Sequence, residues 1–180
     1  MASKRRKLFI VSLMVIVVIA TLPTLLGYNI VIPTSEMMND KVNGRLPKRK
    51  TGDTLQLFRS YDFSDGKWAA YLVVAADDRA DIHPKLAGRT CWKTTDIAVL
   101  KEMQQRWTFK INSDADIATV TSTFYLIRDG VVVFDSGIVA DSGTQGIQMR
   151  EYGWMQPTDK QAVMDVLTKF KAVKWPVVFI

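Results

Sequence analysis

The sequence predicts an α+β fold: an N-terminal transmembrane helix, then one small domain of antiparallel β-hairpins with two helices on one sheet face. Three observations predict it. Residues 8–28 run without a single charge. Two Asp-Gly pairs, Asp65-Gly66 and Asp129-Gly130, follow stretches that read as strands. Two Thr-Asp pairs, at 95 and 158, each open a stretch whose apolar residues recur at helical spacing.

At about 1.5 Å per residue, a helix over 8–28 spans roughly 30 Å, the thickness of a bilayer's hydrocarbon core. Lys4-Arg5-Arg6-Lys7 precedes it and marks the side that stays in the cytoplasm. Residues 1–7 therefore read as a cytoplasmic basic tail and 8–28 as an uncleaved signal-anchor. A cleaved signal peptide competes with this, because Val18-Ile19-Ala20 offers a small-residue cleavage site. The apolar run continues through Leu22, Leu25 and Leu26, which favours the anchor over both a cleaved signal and a buried soluble helix. Pro23 kinks the helix or ends it early. Lys41, Arg45 and Lys48 beyond the run weaken the charge asymmetry that sets orientation.

Residues 29–53, with Pro33, Gly44, Pro47 and Gly52, read as a linker, and 54–180 as one extracytoplasmic domain. A domain of that length buries roughly two-thirds of its unfolded surface, enough for one core without staples. Residues 55–63 read as a strand and Asp65-Gly66 as a hairpin turn, glycine supplying the positive φ. Residues 68–76 are the return strand. After a charged loop, Thr95-Asp96 opens a helix with Ile97, Leu100, Met103 and Trp107 on its apolar face. The second half repeats the order: a strand over 119–128, the Asp129-Gly130 turn and a strand over 131–139. An irregular, glycine-punctuated stretch follows. Thr158-Asp159-Lys160-Gln161 is a capping box for a helix whose face is Val163, Val166, Leu167 and Phe170. Residues 175–180 close the chain as a short strand with Pro176 on an edge. The Asp-Gly turns lie 64 residues apart and the Thr-Asp helix starts 63 apart, as a ββα–ββα duplication would place them.

Charge bounds the function. Residues 1–50 hold nine Lys/Arg against Glu36 and Asp40, a net of +7, and 51–180 hold 15 against 16, a net of −1. The domain is nearly neutral and offers no basic stripe for nucleic acid. The second basic cluster, at 45–50, reads as a solvated linker. Cys91 is the one cysteine, so no internal disulfide forms, and no Asn-x-Ser/Thr acceptor is present. Both facts favour a bacterial inner membrane with the domain in the periplasm.

No motif carries chemistry well. Asp77, Asp78, Asp81 and His83 cluster in one turn without a second ligand set, so they read as a solvated acidic turn and no metal is expected. Residues 112–116 begin like a calcium loop, but Ile117 and Thr123 stand where glycine and glutamate are needed. Asp135-Ser136-Gly137 and Asp141-Ser142-Gly143 resemble the aspartic-protease tripeptide. That family draws its pair from two lobes or two subunits, and these lie six residues apart. No catalytic residue, cofactor or enzyme activity is expected. The segment 144–157 differs, mixing glycines with the residue types enriched at interface centres. Met149, Arg150, Tyr152 and Trp154 there, with Trp92 from the other long loop, are the candidate binding residues. The reading is a single-pass inner-membrane protein that presents a periplasmic protein-binding or adaptor domain. Its expected partners are the lipid bilayer and an envelope protein, and not nucleic acid. The alternatives are an exported inhibitor or immunity-type protein acting on an envelope hydrolase and, less favoured, a metal-dependent envelope enzyme.

Overall fold

The computed structural model describes residues 2–34, 50–112 and 120–180. Most of the expected linker, the basic cluster at 45–49 and the turn beyond Asn112 lie outside them.

The first helix, α1, runs Ala2–Leu25 with Pro23 inside it. It overturns the expected transmembrane helix: among the described residues, no helix is long and apolar enough to cross a membrane. The reason lies at its two ends. Its first turns carry the basic cluster, and the chain leaves the helix after Leu25, so Leu26, Gly27 and Tyr28 of the uncharged run are not helical. What remains from Leu8 spans about 27 Å at about 1.5 Å per residue, at the short end of what crosses a roughly 30 Å core.

The exit from α1 is built into the domain. Gly27 turns at φ +86°, where a Cβ would meet the Arg79 guanidinium and the Gly88 carbonyl. Arg79 Nη1 donates to the Leu26 carbonyl at 3.0 Å, and its guanidinium lies 4.5 Å from the Tyr28 ring centroid. Asn29 then donates through Nδ2 to the carbonyls of Val173 (3.1 Å) and Trp175 (2.7 Å). The chain continues as β1 (Ile30–Ile32), which pairs in parallel with β11 (Val177–Phe179). The start of the expected linker is thus a strand.

The other strands are β2 (Thr54–Gln56), β3 (Trp68–Val73), β4 (Cys91–Thr94), β5 (Thr108–Asn112), β6 (Thr123–Arg128), β7 (Val131–Ala140), β8 (Gln145–Met149), β9 (Gly153–Pro157) and β10 (Lys171–Ala172). Among the described residues they form one antiparallel sheet in the order β10-β4-β3-β6-β7-β8-β9-β5-β2. The helices α2 (Ile97–Arg106) and α3 (Lys160–Leu167) are few beside so much strand, so the class is α+β with a mostly antiparallel sheet. The expected apolar faces form. Leu100, Met103 and Trp107 are buried, as are Val163, Val166, Leu167 and Phe170, whereas Ile97 stays exposed. They meet one face of the sheet through Leu72, Phe124, Leu126 and Ile138 in the main core. The sheet curves enough for Phe58, next to edge strand β2, to meet Phe124 and Phe134 at 5.9 and 5.1 Å between ring centroids. On the opposite face Tyr71, Cys91, Ile127 and Val132 form a second, smaller core with Val178 and Ile180 of the C-terminus. The β1–β11 pair covers that face.

The ββα–ββα duplication is not realised. The second Asp-Gly pair makes the expected two-residue hairpin turn between β6 and β7, with φ +52° at Asp129 and +83° at Gly130. The first does not join a hairpin: β2 ends at Gln56 and pairs with β5. Phe58, Tyr61 and Phe63 sit in a turn-rich segment outside any strand that brings all three rings against the one core, which an alternating strand would not allow. The irregular stretch after β7 is instead the β8–β9 hairpin. The cap of α3 also shifts by one residue. Asp159, not Thr158, accepts from the Ala162 amide (3.2 Å), while Thr158 Oγ1 donates to the Thr108 carbonyl.

Candidate functional site

The candidate binding residues do not form an exposed patch. Met149, Tyr152 and Trp154 are 6%, 5% and 3% exposed. They lie in or beside β8 and β9, so the sheet takes them inside. Trp154 covers Gly146 so closely that a Cβ there would overlap its ring. Trp92 is half-buried and its Nε1 donates to the carbonyls of Leu86 (3.2 Å) and Arg89 (3.0 Å), tying down the loop before β4. Only Arg150 projects into solvent.

The sites weighed for chemistry are also tied up. Asp78 Oδ2 accepts from the Ser122 amide (2.9 Å) and hydroxyl (2.6 Å). His83 Nδ1 accepts from the Lys85 amide and caps a short 3-10 turn opened by Pro84. Asp78, Asp81 and Asp141 line a small cleft of about 340 Å³. Burial pushes the Asp141 carboxyl up, and the charges of Asp81 and Asp78 add to the effect. Among the described residues no three His, Cys, Asp or Glu side chains are placed to hold a metal. Asp135 and Asp141 are separated by roughly 20 Å of strand at about 3.3 Å per residue, too far to share a proton. Cys91 is buried, and burial pushes its thiol up to about 12, the opposite of an activated nucleophile.

A different site stands out. A cleft of about 680 Å³ opens between β4, β10 and β11, with Tyr71 and Lys93 among its lining residues. Lys169, Lys171, Lys174 and the exposed rings of Trp175 (75%) and Phe179 (63%) also line it. Lys93 Nζ lies 5.0 Å from the Tyr71 ring centroid, a cation–π contact. Lys169 is held by Glu102, and that ion pair, with Arg106, keeps the Glu102 carboxyl below its usual range. Lys171 and Lys174 make no ion pair among the described residues. Asp96, the one carboxylate among the described residues that line the cleft, is engaged as the cap of α2, accepting from the Ala98 amide at 2.8 Å. The cleft is therefore basic and partly aromatic.

It also borders an unpaired strand edge. The Ile30 amide donates to the Pro176 carbonyl and the Ile180 amide to the Ile32 carbonyl. In a parallel ladder of that register, alternate residues bond the neighbour. So β11 offers β1 the Pro176 carbonyl and the backbone groups of Val178 and Ile180, while those of Val177 and Phe179 point the other way. Among the described residues no strand pairs with that edge.

Sequence reasoning missed this site because its parts are distant in the chain, from Tyr71 to Phe179, and come together only when β11 returns to β1. The legible signals were the lysines at 169, 171 and 174 flanking Trp175 in a short C-terminal strand. No protein-family model matches the chain, and neither a curated protein nor a solved structure matches it.

Proposed function

We propose that this chain is a membrane-attached binding module, not an enzyme, and that its domain presents the β4–β10–β11 cleft to a protein partner. The observation that carries the reading is the cleft itself: concave, with a free strand edge, two exposed rings and lysines that have no ion-pair partner among the described residues. Exposed aromatic side chains around a groove are what binding surfaces use, and backbone groups left open on an edge invite pairing. Attachment draws its support from α1. Phe9, Met14 and Ile16 are each more than 60% exposed on it, and apolar surface on that scale favours burial in lipid. The basic residues that precede the apolar run suit anionic headgroups. The bacterial inner membrane is the location that goes with this reading. The inhibitor alternative draws no support from 144–157, the segment meant to plug an active site, because that stretch lies largely in sheet strands.

Two measurements test the reading. The full chain should float with neutral phosphatidylcholine vesicles, and a Val15→Lys, Ile16→Lys variant should stay behind. An unmodified chain that remains at the bottom of the gradient removes the attachment. A photo-crosslinker placed at Trp175 in cells should give a discrete protein adduct that one placed at Arg150 does not. An adduct from Arg150 alone would move the binding site to the β8–β9 turn, and lipid adducts alone from Trp175 would end the protein-binding reading.

A further inference from the structure

We propose that the partner enters the cleft as an extended acidic segment and pairs along the free edge of β11, adding a third strand to the β1–β11 pair. The inference rests on the binding-module reading and goes further by fixing the partner's chemistry and conformation.

The geometry is that of strand addition. The backbone amides and carbonyls of Val177 and Phe179 point away from β1, and both residues line the cleft. An incoming extended chain would find there the bonding pattern that β1 finds on the opposite edge. Charge decides what kind of chain. Lys93, Lys171 and Lys174 line the same space with no ion pair among the described residues, Lys169 beside them is held by Glu102, and Asp96 is already used as a helix cap. Lysines beside an open edge repel a basic strand and attract an acidic one, so they act as a filter rather than a simple block. A strand edge guarded only against aggregation would not also expose Trp175 and Phe179, which offer an apolar and aromatic surface to alternate side chains of the incoming strand.

Strand addition needs a firm template, and Asn29 provides one. Its Nδ2 bonds the carbonyls of Val173 and Trp175, and its amide donates to Thr90 Oγ1 at 2.8 Å. That residue therefore links β1, the segment leading into β11 and the chain just before β4. Val178 and Ile180 anchor β11 from below in the smaller core. An anionic lipid surface shares the charge requirement, but it is flat and offers no backbone groups to pair with Val177 and Phe179. The concave site favours the peptide.

The test uses the full chain in non-ionic detergent and three synthetic capped peptides: one alternating Asp with Val, one alternating Lys with Val, and an Asp/Val peptide N-methylated at alternate residues. The acidic peptide should bind and slow amide hydrogen exchange at Val177 and Phe179. The basic peptide should not bind. The N-methylated peptide keeps the charge but cannot complete a ladder, and should bind at least roughly tenfold more weakly. A Lys171→Glu, Lys174→Glu variant should lose roughly tenfold in affinity for the acidic peptide with its melting temperature unchanged. Equal binding of the N-methylated peptide, or unchanged exchange at Val177 and Phe179, overturns strand addition. Phosphatidylglycerol vesicles that compete for the cleft while the acidic peptide does not bind would assign the surface to lipid headgroups instead. Failure of the peptides alongside a specific protein crosslink at Trp175 would sink this inference and leave the broader reading standing.

Discussion

Gly146 and Trp154 behave as a single unit. The indole lies where a side chain at 146 would stand, and the Met155 carbonyl closes the same space. Removing the indole empties a buried volume that nothing nearby can refill, so Trp154→Ala should cost about 3–5 kcal/mol of stability. Gly146→Val should cost about 1–3 kcal/mol by overpacking the same space. Because the two residues share one space, the double variant should not sum the two losses. Urea unfolding of the three variants measures this, and a Trp154→Ala domain as stable as the parent would return that residue to the surface. The difficulty of reading Trp154 from sequence is general. Tryptophan, tyrosine and methionine are enriched both in cores and at interface centres, so residue type alone cannot separate them. Placement separates them here: Trp154 lies within a ladder, while Trp175 follows the edge strand β10 and precedes a proline.

At the scale of elements, what local sequence controls was legible. The apolar stripes of α2 and α3 and the Asp129-Gly130 turn each depend on residues within a few positions of one another, and each forms largely as read, although Ile97 stays exposed and Trp107 and Phe170 fall just past the helix ends. Strands β3, β6, β7 and β11 match stretches read as strands, but other elements that depend on distant partners were not legible. Residues 57–63 look strand-like, but three rings must reach one core and the backbone turns to let them. The β8–β9 hairpin reads as a loop because its glycines suggest breaks, when Gly146 is there to admit an indole. The start of α3 is the instructive near miss. Thr158 and Asp159 both have the oxygen a cap needs, and tertiary contact decides between them: the Thr158 hydroxyl is drawn to Thr108, so Asp159 faces the helix. Asp159→Ala should therefore cost about 1 kcal/mol. Thr158→Ala, which removes one exposed bond, should cost less. Thermal melts of the two variants rank them, and the reverse order would restore the capping box.

Across the whole molecule, the two ends of the described chain depend on each other. Tyr28 to Ile32 arrive from α1, Val173 to Ile180 arrive from α3, and each strand has the other as its partner. Neither three-residue strand could hold its place alone, since a two-stranded pair is marginal in water without a core beneath it. The smaller core supplies that support, and Asn29 ties the pair to it from one end. The arrangement also joins the two halves of the proposed function, because the residue that leaves the apolar helix also fixes the strand that edges the cleft. Cys91 gives a direct readout. It lies fully buried in the smaller core with Val178 and Ile180, and its thiol is held up near 12 by that burial. Asn29→Ala removes the tie without touching the main core. It should speed alkylation of Cys91 by about tenfold or more, through local opening of the cover, with the main unfolding transition nearly unchanged. Val178→Asp, which places a charge in the same core, should open it further. If Cys91 remains as protected in both variants as in the parent, the β1–β11 pair is not what shields it, and the link from α1 to the cleft fails.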